Sequence, residues 1–529
     1  MSDSAVDFNG IETTLTRFLK KTFSDVYFEY ASAEVQIREN ASEDFSQGVR
    51  VEHTTRRDIM ARIHGRTDEG KVYFGAGLVG TASSKATLNE VLKDAKDNIF
   101  ALGLECANDH KFRDSDAVHV PDMNFHPWVI DTDLIEDLRV ASCNEKPKYD
   151  DNHRITTGYG STNYWSIFVN TAGAHVRQNI NYLSLTLEAN MKSDYPFLRV
   201  FGFAPKNEAQ VKQIYKLLPY LDDISEGQAI RQSRDCAEAS RAIVGISRIF
   251  GNRSGVRDLP QGKYPVVTPS LTFSHECAGH ASEEFIIRPR QDIHDGILIP
   301  DRMFRSGTNL DSSRFTLYDN PRMQLSGLDL ITTREYDCEG FLMNAKRLIN
   351  GGKVTNSALG STYSKGRNVG NALGYTAVVF PIPRMSVIHT LPDNRDGPGS
   401  IEELCEMMDG PAVICNKGAG QVDPTTGAFI LGSDVHAGFT GSPESYLYKN
   451  GKFIPLKTQF TVNGNSYVTI GNAVVGNKQS LSFNAGMCGS DNPALNEFTI
   501  DYVPSASVGP LIGIQEAGIS TWGRRAAEV

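Results

Sequence analysis

His275, Glu276 and His280 carry the strongest chemical signal in the chain. They lie in Ser274-His-Glu-Cys-Ala-Gly-His-Ala-Ser-Glu-Glu284. In zinc sites of the HExxH type, two imidazoles on one helix hold the cation, and the Glu beside the first moves a proton for an attacking water. HExxH sets its two His about 40° apart around an α-helix, on one face. Here one more residue intervenes, and a regular helix would set them about 140° apart. A shared cation therefore requires a one-residue bulge or kink in the helix. Gly279, directly before His280, is a residue type that tolerates such distortion. Without a metal, the same string is a helix with two ordinary polar His.

A catalytic zinc takes three protein ligands and keeps one position open for water. Any His, Cys, Asp or Glu elsewhere could be the third. Cys488 stands in Phe483-Asn-Ala-Gly-Met-Cys-Gly-Ser-Asp-Asn492, where flanking glycines suit a tight ligand loop. Spacing alone does not choose it over Cys338 or Cys415, and Cys is often just a small buried hydrophobe. Glu283, one turn beyond His280, is placed to orient a ligand from behind or to face solvent as an ordinary helix Glu. His294 and His436 read as ordinary surface or core His. Gly75-Ala-Gly-Leu-Val-Gly80 fits GxGxxG, but the next helix opens only near Thr87 and no suitably placed acid follows. It reads as a turn between strands rather than a dinucleotide loop. Gln421-Val-Asp-Pro-Thr-Thr-Gly427 reads as a tight turn.

The elements that must position these residues divide the chain in two. Residues 10–22 form an amphipathic helix. Val26–Tyr30, Val35–Arg38, Gly48–Glu52, Ile59–Ile63 and Lys71–Phe74 alternate as half-buried strands. Thr87-Leu-Asn-Glu90 opens a helix running to about residue 102. A short helix is expected over 134–142, a long antiparallel hairpin system over 154–191, and helices over 207–217 and 227–249. Leu259–Val267 is a strand, and Thr268-Pro269 fits the start of the helix that carries the His pair. The rest is turns and short strands, with one helix over 400–408. The expected fold class is α+β. Residues 1–235 form a strand-rich N-terminal domain with helices, and 236–529 a mostly antiparallel β domain carrying the metal-binding helix.

Composition narrows the partners. At 529 residues the chain is long enough for more than one core. A net charge of -10 gives no electrostatic reason to seek a phosphate backbone, which argues against nucleic acid as a ligand. The first residues lack a basic-then-apolar pattern, and no stretch approaches the roughly 18 apolar residues of a membrane span. The eight Cys are scattered with no CxxC pair, as in reduced thiols. The expectation is a cytoplasmic protein with no membrane partner.

Further segments fall in a recognisable order. These are Tyr264-Pro-Val-Val, the His275–Glu283 string, Tyr336-Asp-Cys-Glu-Gly340, Arg384-Met-Ser386, Gly420-Gln-Val-Asp-Pro-Thr-Thr-Gly-Ala-Phe429, Tyr446-Leu-Tyr-Lys-Asn-Gly-Lys452 and Gly486-Met-Cys-Gly489. Together they resemble the TldD/PmbA metallopeptidase family over about the last 230 residues; the first half resembles it more loosely. The resemblance implies one Zn²⁺ per chain held by His275, His280 and Cys488, with Glu276 catalytic. It also implies cleavage of small or unfolded peptides, among them precursors of modified peptides. The partner it implies is a dimer, either homodimeric or with a related subunit lacking the zinc motif. This chain keeps the motif, as the active TldD-type subunit does. Val387-Ile388-His389 departs from the polar residues expected after Arg384-Met-Ser386. Two rivals stand beside the peptidase: a zinc amidohydrolase acting on a small molecule or modified peptide, and a non-catalytic zinc-stabilised partner-binding protein.

Overall fold

Residues 28–46 alternate apolar and polar side chains, and they form one long strand where the sequence suggests two short ones. The computed structural model describes residues 8–105, 118–119, 154–210, 259–283 and 304–521, with short interruptions inside these spans. β1 (Phe28–Ser46) pairs antiparallel with β2 (Val49–Thr67), Val35 lying opposite Ala61. β3 (Lys71–Gly80) and β4 (Phe100–Glu105) extend the sheet beyond β2. On the other side come β5 (Val118–His119), β6 (Arg154–Asn170), β7 (His175–Asn190) and β8 (Phe197–Phe203). The order is β4-β3-β2-β1-β6-β7-β5, with β8 also on β7.

One face of this sheet is covered by α1 (Phe8–Thr22) and α2 (Leu88–Asp97). Leu15, Leu19, Val91 and Leu92 of the helices pack on Ala31, Ala33, Val35, Ile37, Ile63, Trp165 and Ile167 of the strands. The glycine-rich segment expected as a turn is instead part of β3. An added Cβ at Gly75 would lie 2.2 Å from the Ala95 carbonyl oxygen, so the glycine lets α2 rest directly on the strand. α2 ends at Asp97 rather than near residue 102, because Phe100–Glu105 turns back to pair with β3.

The opposite face of β1 carries Ser32, Glu34, Gln36 and Arg38, and it too is buried. The strand is therefore covered on both sides rather than half-buried. Residues from the second half cover this polar face. The Gln178 amide pairs twice with the main chain of Tyr336, donating to its carbonyl and accepting from its N–H, both at 3.1 Å. Arg62 donates to the Cys338 carbonyl at 3.2 Å, and Phe380 packs edge-on against Phe74.

The second half holds two larger sheets. β9 (Gly262–Thr268) lies inside a nine-stranded sheet, between the antiparallel strand Ile512–Thr521 and the parallel strand Ala412–Cys415. In a six-stranded sheet, Val387–Thr390 runs parallel to Ile500–Gly509, which pairs antiparallel with Ser482–Asp491. One apolar core draws on both sheets, with Val266, Phe273, Phe315, Met385, Ile388, Val413 and Ile514 among its members. The class is α+β, as the sequence pattern suggests. The expected boundary at residues 235/236 and the expected helices over 134–142 and 227–249 lie outside the described residues. So does nearly all of the one over 207–217. Among the described residues no helix is long and apolar enough to cross a membrane.

Candidate metal centre

The segment after β9 is a π-helix, Leu271–Gly279, which passes into a short 3₁₀ turn, His280–Ser282. Hydrogen bonds in a π-helix close from i to i+5, so residues five apart stack on one face. This winding answers the spacing problem posed by His275 and His280. The two rings meet edge to face, with centroids 5.3 Å apart.

The helix is enclosed on most sides. Phe273, Cys277, Ala278 and Ala281 are fully buried, and Phe273 packs edge-on against Phe315. The small residues let the strands Val387–Thr390, Ile500–Gly509 and Ala419–Val422 pack closely around it. Gly279 has ordinary right-handed dihedrals, φ -63° and ψ -57°. Its contribution is therefore space, not backbone freedom. A Cβ there would lie 2.6 Å from Met385 Sδ and 3.2 Å from Ile388. Val387 and Ile388, which depart from the expected polar pattern, are fully buried core residues.

Cys488 arrives from the strand Ser482–Asp491, opposite Val503. Its Sγ lies 3.1 Å from His275 Nε2 and 3.3 Å from His280 Nε2. These three ligand atoms all fall within 4.8 Å of one another. Cys338 and Cys415 lie elsewhere, in the seam under β1 and on the strand Ala412–Cys415. His294, His436 and residues 423–427 lie outside the described residues.

Glu276 stands beside the cluster, with Oε2 3.8 Å from His280 Nε2. It is partly open to solvent, whereas His275 and Cys488 are buried. Glu283 is 1% exposed and faces inward, not outward. Its Oε2 meets His280 Nδ1 at 2.9 Å, and its Oε1 accepts from the Met385 N–H at 3.1 Å. Arg384, fully buried, brings Nε to 3.6 Å from the same carboxylate and donates from Nη2 to the Cys488 carbonyl at 2.7 Å. Sequence reasoning assigns Arg384 no role, since no helix or strand period links positions this far apart.

The electrostatics of the cluster suit a cation. Burial would raise the Cys488 thiol, but Arg384, His280 and His275 outweigh it and hold the group well below the usual thiol range. Burial would also raise Glu283, and His280 and Arg384 hold it low. Both imidazoles are drawn upward against their own burial, chiefly by the Cys488 thiolate. Glu276 is raised, first by burial, although the His pair pulls it down. The donor set is soft thiolate plus imidazole, the combination that zinc favours. His275 Nδ1 is buried with no hydrogen-bond partner among the described residues, so this ring is held through its Nε2 side. The residues present fit a bound metal.

Residues 261–520 match the family model for the PmbA/TldA metallopeptidase C-terminal domain. The chain belongs to the TldD/PmbA family. Among curated TldD/PmbA relatives, the Metalloprotease TldD homolog of Buchnera aphidicola subsp. Schizaphis graminum is 26% identical over 243 residues. The match covers 44% of this chain and 45% of that protein. Its counterpart from the Acyrthosiphon pisum strain is 24% identical over 237 residues, 44% of each chain. The chain thus matches a little under half the length of these relatives. The crystal structure of TldE from Thermococcus kodakarensis superposes over 96% of this chain and 100% of its own, with a TM-score of 0.56 at 15% identity. At that identity the likeness is one of fold, and it extends the TldD/PmbA architecture across the first half as well.

Proposed function

We propose that this chain is a zinc-dependent peptidase acting on small or unfolded peptides, with one Zn²⁺ held by His275, His280 and Cys488. The observation that carries the reading is the convergence of those three donor atoms, from a π-wound helix and a distant strand, beside a partly open carboxylate. Zinc bound there supplies a Lewis acid for the scissile carbonyl and makes water a nucleophile near neutral pH.

The protein's own groups do the rest. Glu276, raised by burial towards working pH, takes the proton of the attacking water and returns it to the leaving amine. Glu283 fixes the ring of His280 through Nδ1 and so presents Nε2 to the cluster. The buried strands around the π-helix keep bulk water from the ligands. Three protein donors with a carboxylate at the open side favour catalysis over a structural zinc, which takes four protein ligands. We further propose a cytoplasmic location and a dimer, with an identical or related subunit.

Elemental analysis of purified protein, run beside peptide-library turnover read by mass spectrometry, tests this. The expected result is about one zinc per chain and cleaved backbone amides. Products cut only at non-peptide amides would move the assignment to an amidohydrolase. Zinc with no turnover on any substrate would leave a binding protein.

A further inference from the structure

Arg384 lies in a setting where an arginine is costly. Its side chain is fully buried, and Glu283, whose carboxylate lies 3.6 Å from its Nε, is buried as well. Such a pair adds little net stability over well-packed apolar groups of the same size. Its value must be sought in what it holds. The guanidinium is a planar fork of fixed geometry, and it fixes the separation of whatever it binds. One arm reaches the main-chain carbonyl of Cys488, and the other faces the carboxylate that orients His280.

The base of the arginine is itself anchored. Its N–H donates to the Asn371 carbonyl at 2.9 Å, and its carbonyl accepts from Asn371 Nδ2 at 3.2 Å. Ser386 donates to buried Asp319 from both its N–H and its hydroxyl, each at 2.8 Å. Asn371 closes the frame by donating to the other Asp319 oxygen. Met385 donates its N–H to Glu283. The segment 384–386 is thus pinned on one side to the turn after the π-helix and on the other to a rigid polar frame.

We infer that Arg384 is a positioning residue that ties the strand bearing Cys488 to the carboxylate behind His280, and so sets the distance between the thiolate and imidazole ligands. This rests on the metal reading above. Arg384 has no exposed surface from which to touch substrate, so its effect falls on metal binding and not on the proton transfer by Glu276.

The test uses the full chain loaded with cobalt(II), whose near-ultraviolet charge-transfer absorption reports a bound thiolate. Wild type is expected to show this band, and Cys488→Ala to lack it. Arg384→Met should bind cobalt about ten- to a hundredfold more weakly and lose much of the band. Arg384→Lys keeps the charge but reaches only one partner; it should fall between the two. Circular dichroism and the unfolding midpoint identify a variant that fails to fold. If Arg384→Met does, Arg384→Lys decides the matter alone. Wild-type affinity and a wild-type band in every folded Arg384 variant would overturn the inference while leaving the metal site intact. A wild-type protein that takes up cobalt with no thiolate band would instead overturn the ligand assignment on which it rests.

Discussion

Two of the places where the described residues bury ionisable groups are built on opposite terms. Under β1, Glu34 accepts from Ser166 at 2.6 Å, from Gln36 at 2.9 Å and from Arg62. Asp337 accepts three main-chain N–H groups, and Glu339 accepts from the Thr362 N–H and hydroxyl. Each of these carboxylates spends its capacity on protein donors. At the π-helix, three donor atoms aim at one another from as little as 3.1 Å, and one ring nitrogen is left without a partner among the described residues. In the first arrangement the carboxylates are met by protein donors, and the cluster joins two halves of the molecule. In the second, on the reading proposed above, the donors turn towards a shared metal ion. A buried polar cluster is best sorted by where its lone pairs end, more than by how many charges it holds.

That contrast can be broken at either end. The largest effect is expected from Glu276→Gln, which should lower kcat by about 10²- to 10⁴-fold while zinc content stays at the wild-type level. Steady-state turnover beside elemental analysis reads both, and full activity would remove Glu276 from the chemistry. Cys488→Ala should lose most of its bound zinc after dialysis against a weak chelator; an unchanged metal content would place the third ligand elsewhere. At the other end, Arg62→Met takes from buried Glu34 its guanidinium partner. It should cost about 3–5 kcal/mol in chemical denaturation without changing the cobalt spectrum. A spectrum that changes with it would mean that the two clusters are not independent.

The smallest effect is a pH dependence. Burial raises the Glu339 carboxyl well above its ordinary range, and repulsion from Asp337 adds to the rise. The folded state therefore binds this proton more tightly than the unfolded chain does. The contribution is present on the acid side and is lost as pH climbs through the raised folded value. Wild type should lose unfolding free energy between mildly acidic and mildly alkaline pH, and Glu339→Gln should flatten that loss. Parallel curves for the two proteins would remove Glu339 as its source.

How much of this is legible in the sequence depends on the distance over which residues act. The five-residue spacing of His275 and His280 states a local problem, and local winding solves it, so both the pair and the distortion can be read from one dozen residues. Cys488 cannot be chosen by spacing, because Cys338 and Cys415 are equal to it in composition and only the fold separates them. The role of Arg384 is hidden for the same reason: its side chain meets Cys488, 104 residues further along the chain, and Glu283, a similar distance behind. The alternation of β1 is legible, but not its meaning. Period two says that two faces differ, and a second layer of protein can bury the polar one as well as solvent can wet it. Gly75–Gly80 shows the converse error, since a glycine that admits a helix and a glycine that permits a turn are spelled alike.

The strand that carries Cys488 bears on the order of assembly. It pairs with Ile500–Gly509, which in turn lies against Val387–Thr390, so the sulfur is held by strands from the last part of the described residues. In a growing polypeptide, His280 therefore emerges 208 residues before Cys488. Metal uptake during synthesis should report that the end of the chain has emerged and found its place. A chain halted before Ser482 and assayed on the ribosome should hold no thiolate-bound cobalt, however well its earlier strands have formed.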